Sequence, residues 1–185
     1  MKFLFAFLIP ISALFNQATY GQTIKISGDK SNSSISYDMV HPLHQWTGIS
    51  KDVTSIIVLD QAKNEITQVA VKVKVASFDS QNANRDSHMI EVAEGLKFPE
   101  ITFVSNKIQT TGGQLNASGT ITFHGVGKSV TIVCTRNDSK NLIEVSGGFK
   151  VKLTDFNIAP PTLLGVATDD EFSISFNVGY PVAKK

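Results

Sequence analysis

One cysteine, one tryptophan and almost no net charge set the first limits on this chain of 185 residues. Cys134 alone cannot form an internal disulfide, so the fold must hold without that staple. The 17 basic and 16 acidic side chains are spread along the sequence, which leaves no electrostatic footprint for nucleic acid and no polybasic patch for a membrane. Long hydrophobic runs are also lacking. The apolar stretch from Phe3 to Phe15, broken by Pro10 and Ser12, is too short for a permanent membrane anchor. Preceded by Lys2 and followed by Thr19-Tyr20-Gly21, it reads as a secretory signal peptide over residues 1–21, with cleavage before Gln22. The expectation is one soluble domain over residues 22–185 in the periplasm or outside the cell, without a lipid-bearing cysteine after the leader.

The chain also lacks a convergent catalytic set. His41 and His44 flank Pro42 with no acid or thiol nearby to complete a metal shell, and read as surface histidines where a strand meets a loop. Cys134 shares the inward parity of Val130 and Ile132, which fits a buried inert thiol better than a nucleophile. His124 falls on the outward parity and leads into Gly125-Val126-Gly127-Lys128, too short a turn for a phosphate loop. No catalytic residue, metal or cofactor is assigned, and the chain reads as a non-enzyme.

What is present is alternation. Phe172, Ile174, Phe176 and Val178 face one way against Ser173, Ser175 and Asn177, a strand dry on one side and wet on the other. The same period links Ile143, Val145, Phe149, Val151 and Leu153, with Gly147 in the remaining inward place. It also links Val69 to Val75, Ile101 to Phe103, Ile121 to Phe123, and Val130 to Cys134. Earlier strands are expected near Thr23–Ile26, Ser34–Val40 and Val53–Leu59, separated by short polar turns. The count is about eight, and closing an up-and-down antiparallel sheet of that size removes its aggregation-prone edges. An eight-stranded barrel is therefore predicted, with one short helix near its end. Asp86 or Ser87 is the expected helix N-cap, Met89, Val92, Ala93 and Leu96 its apolar face, and Gly95 and Pro99 its terminators.

Two constellations remain as binding candidates. Phe103, Phe123, Phe149, Phe172 and Phe176 lie on inward faces, while Phe78, Phe98 and Phe156 sit near strand ends. An eight-strand barrel is close to the size at which side chains either fill it or leave room for one ligand. Asn82, Asn84, Arg85, Asp86 and His88 crowd hydrogen-bonding groups ahead of the helix. They can hold a turn and a cap, or Asn84, Arg85 and His88 can face the headgroup of an amphiphile entering the barrel.

Phe78-Asp79-Ser80-Gln81-Asn82-Ala83-Asn84-Arg85-Asp86-Ser87-His88-Met89, followed by Phe98-Pro99-Glu100-Ile101-Thr102-Phe103, resembles a signature of the YceI-like family. His124 to Val130 is similar to that family's second signature, and the resemblance runs from about Ser33 to Val178. It implies a lipocalin-like barrel that binds an isoprenoid lipid or quinone-like amphiphile, such as a polyprenyl phosphate or a quinone tail, without catalysis. The alternative is a barrel with a filled core, acting as an envelope protein-interaction or stress-response module.

Overall fold

The computed structural model describes residues 22–111 and 113–182. The leader expected over residues 1–21 lies outside them. The described chain is mostly strand, and the strands curl into one antiparallel sheet around an apolar interior. In chain order they are β1 (Thr23–Ser27), β2 (Asp29–His41), β3 (His44–Ser50), β4 (Val53–Asp60), β5 (Glu65–Lys74), β6 (Glu100–Thr111) and β7 (Gln114–Phe123). β8 (Val126–Asp138), β9 (Leu142–Lys152), β10 (Thr162–Leu163), β11 (Val166–Ala167) and β12 (Glu171–Pro181) follow, with one helix, α1 (Ala83–Val92), between β5 and β6.

The count departs from the predicted eight: ten strands form the main sheet, and β10 and β11 form a separate ribbon. Nine of the ten coincide with the runs that alternation marks, and the tenth is β3 (His44–Ser50), the partner of β2. The run from Thr23 to His41 bends at Gly28, whose amide donates to the Ser55 carbonyl at 2.8 Å. Its first half pairs with β4, whereas its second half lies between β12 and β3. A Cβ at Gly28 would come within 3.3 Å of both Ser55 and Val178, so the bend favours the smallest residue. The run from His44 to Asp60 breaks opposite, between Ser50 and Val53. Together they form one long hairpin that joins the first and last ladders of the sheet, and strand connectivity thereby completes the circuit of the barrel.

Alternation places the core as expected. β4 reads Val53, Ser55, Ile57 and Leu59 buried, with Thr54 and Ile56 exposed. Gly147 occupies its inward position on β9 because the Phe176 ring fills the space: a Cβ there would lie 2.9 Å from Phe176 Cζ. The β8–β9 ladder runs from Cys134↔Gly147 to Asp138↔Ile143. Beyond Gly147 the two strands diverge, and a 3-10 turn at Thr154–Phe156 packs against both.

The helix begins earlier than predicted. Asn82, not Asp86 or Ser87, is the N-cap, and its side chain accepts from the Arg85 amide at 3.1 Å. Met89 and Val92 pack on the core and Ala93 is buried, but Leu96 is 97% exposed. The helix stops at Val92 and Glu94 turns left-handed at φ 44°, which carries Leu96 off the apolar face.

Candidate ligand-binding site

The inward side chains do not meet at the centre. They leave one continuous cavity of about 260 Å³, running through the barrel towards α1 and lined almost wholly by apolar groups. Phe78, Phe103, Phe123, Phe149, Phe156, Phe172 and Phe176 stand along it. Phe98 does not: it packs edge-on against His124, with ring centroids 4.7 Å apart, and covers Gly125. Cys134 is on the wall, and burial pushes its thiol up to about 11, so it stays protonated and unreactive near neutral pH.

Of the residues expected near the headgroup, Arg85 and His88 reach the cavity, whereas Asn84 is exposed and lies away from it. Arg85 does not pair with Asp86. Both instead clamp Ser80: the guanidinium donates to its hydroxyl at 2.9 Å and its carbonyl at 2.8 Å, and the Asp86 carboxylate accepts from its amide at 3.1 Å. The Arg85 guanidinium also lies over the Trp46 ring, 5.3 Å from the centroid. His88 is more than half exposed and faces Glu91 at 3.6 Å.

The histidines depart most from expectation. His41 is 2% exposed, not a surface residue. Its Nδ1 accepts from the Leu43 amide at 3.2 Å and its Nε2 meets the Val166 carbonyl at 3.1 Å, which anchors the β2–β3 turn to the β10–β11 ribbon. Both ring nitrogens are thereby used. His124 is largely buried: it bridges the Phe156 carbonyl at 2.9 Å and the Glu94 carboxylate at 2.7 Å. Its φ of 50° turns the side chain under the barrel end, against its parity on the strand. Among the described residues no three His, Cys, Asp or Glu side chains converge as metal ligands.

Two site residues escaped the sequence reading. Tyr37 and Trp46 line the cavity where β2 and β3 pair, on the same face of the sheet. The Tyr37 ring lies across Gly48, where a Cβ would sit 2.3 Å from it. Burial raises the Tyr37 pKa, an effect partly offset by the nearby Trp46 indole N–H. The two groups are close without forming an aligned bond: the Tyr37 hydroxyl and Trp46 Nε1 are both buried with no hydrogen-bond partner in the protein. Trp46 is the chain's only tryptophan, and that rarity beside the inward parity of Met39 was the available signal.

A curled barrel with an apolar lumen of ligand size has the form of a small-molecule binding site. The model of the YceI-like domain matches residues 27–180, and the chain belongs to that family. It is 29% identical to Protein YceI of Salmonella newport over 157 residues, covering 79% of this chain and 80% of that protein. The crystal structure of Burkholderia cenocepacia BcnA shares the fold with a TM-score of 0.74 at 22% identity, over 82% of this chain and 98% of BcnA. A polyisoprenoid binding domain from Saccharophagus degradans, implicated in plant cell wall breakdown, superposes with a TM-score of 0.68 at 13% identity. That match covers 88% of this chain and all of the domain.

Proposed function

We propose that this chain is an exported, non-catalytic carrier that holds the tail of a polyisoprenoid or a similar long apolar chain in its barrel lumen. The continuous apolar cavity of about 260 Å³ carries the reading. A core filled to native density would leave no such space, and that favours the carrier over an interaction module with a solid core. Family membership supports a lipid-binding role, and the polyisoprenoid binding domain from S. degradans points to the chemical class.

Magnitudes favour a long tail. A short tail of about nine methylenes sets the scale. At ~0.8 kcal/mol each, their burial contributes roughly 7 kcal/mol, inside the ~4–15 kcal/mol cost of association. Useful affinity therefore needs further contacts from a longer chain or from its polar end. Export would follow from residues 1–21 acting as a leader, and would place the protein in the periplasm.

Trp46 provides the assay because it stands on the cavity wall. Titrating the mature protein with solanesol, a nine-unit polyprenol, should give a saturable 1:1 change in its emission, abolished in a folded Phe123→Asp variant. No saturable change in the folded wild-type protein would exclude the carrier reading.

A further inference from the structure

The two ends of the barrel differ in what their connections expose. The β4–β5 turn presents Lys63 and Asn64, and the β8–β9 turn Ser139, Lys140 and Asn141, so that end is polar. The connections at the α1 end carry every exposed leucine among the described residues: Leu43 in the β2–β3 turn, Leu96 after the helix, and Leu163 and Leu164 in the β10–β11 ribbon. Val166, also exposed, pairs with Leu163 across that ribbon.

These tips are held in place. The Thr168 amide donates to the Pro161 carbonyl and the Asp169 amide to the Val40 carbonyl, both at 2.9 Å, and His41 Nε2 meets the Val166 carbonyl. Pro161 lines the cavity, as does Trp46, and the ring of His44, next to Leu43, stacks on Trp46 at 5.1 Å. The ribbon therefore rises from the rim of the lumen. It does not plug the lumen, because Thr162 to Ala167 are all exposed. Leu164 and Gly165, at φ 53° and 78°, form the left-handed pair of a two-residue hairpin turn, where asparagine suits the first place and leucine is strained. Strain kept for a side chain that is 85% exposed points to a use outside the fold.

From Ile158 to Thr168 the chain carries no charge, which matches the tip to hydrocarbon and not to an ionic partner. A stable protein interface uses about 20–30 residues a side, far more than these separate tips offer. A bilayer is fluid and moulds around each tip, and binding to it scales with the apolar area inserted.

We propose that the α1 end of the barrel is a membrane-docking surface, with Leu43, Leu163 and Leu164 seated just below the headgroups of a lipid bilayer. The rim of the lumen is then turned towards the membrane. The inference stands on this surface and not on the identity of any cargo.

Flotation with phosphatidylcholine vesicles, with and without phosphatidylglycerol, tests it on the processed protein. The variants are Leu43→Ser, Leu164→Asn and, as a control on the outer wall of β8, Val133→Thr, each checked for a native melt. Wild type should float with both vesicles, equally at low and high salt. Each leucine variant should partition about tenfold more weakly, and Val133→Thr as wild type does. No flotation of the wild type overturns the proposal. So does flotation that needs phosphatidylglycerol and fades with salt, or flotation that neither leucine substitution weakens. A wild-type dimer that Leu164→Asn dissociates also overturns it, since a second copy would then cover the surface. Solanesol binding, unchanged in both leucine variants, keeps a failure of docking distinct from a failure of the carrier reading.

Discussion

The phenol of Tyr180 and the hydroxyl of Ser55 lie 2.6 Å apart in the interior, joining β12 to β4, two strands that share no ladder. Ser55 also donates to the Ala70 carbonyl at 3.2 Å, so Tyr180 is the donor of the pair. The contact sits beside Gly28, where the first long run passes from one side of the circuit to the other. Tyr180→Phe should cost roughly 1–2 kcal/mol, since Ser55 keeps one partner, and lower the Tm by about 2–8 °C. An unchanged melt would show that barrel closure does not depend on this bond.

Burial holds Tyr180 up to about 12 and Cys134 up to about 11, against ordinary values of 10.0 and 9.0. In both cases the folded state retains a proton that the unfolded chain has released. Their contribution to stability is therefore complete below pH 9 and is lost as pH rises, through 9 to 11 for the thiol and 10 to 12 for the phenol. Urea midpoints should fall between pH 8.5 and 11 by these windows, and Cys134→Ala should flatten the lower part of the decline. A midpoint that rises over that range would contradict the burial of both groups.

Gly147 and Phe176 share one volume. A Cβ on Gly147 would meet the ring at 2.9 Å and the Val133 carbonyl at the same distance. Gly147→Ala should destabilise by about 1–3 kcal/mol, and trimming Phe176 to Leu in the same chain should recover part of that loss. Additive costs in the double variant would mean that the backbone contact alone forbids a side chain.

Leu164 stands at φ 53° in the turn before Gly165, a conformation that bulky residues avoid, and is 85% exposed. Leu164→Asn puts a residue suited to that turn at the same place, and should stabilise by about 1 kcal/mol, raising the Tm by roughly 2–4 °C. A melt that does not rise would show that the ribbon holds Leu164 without cost.

Parity made most of this molecule legible. Inward faces read from alternation, such as Ile143 to Leu153 and Phe172 to Val178, are the faces around the cavity, because a period of two survives any global arrangement of the strands. What could not be read depends on residues distant in sequence. Gly28 is a bend only because Ser55 and Val178 press on it, and His41 is buried only because the ribbon carrying Val166 folds over it. Leu96 had helical spacing, but the left-handed turn at Glu94 removed it from the helix. Tyr37 and Trp46 become neighbours through the β2–β3 register and a ring lying over Gly48, which no local pattern encodes. The polar run from Asn82 to His88 was visible as a cluster, whereas its use as a clamp on Ser80 was not.

The most direct test of the carrier account is native mass spectrometry of the protein purified from its own cell envelope, followed by organic extraction. The account predicts a stoichiometric adduct that extracts as a long-chain isoprenoid lipid. A bare mass that stays bare after incubation with polyprenyl lipids would contradict it.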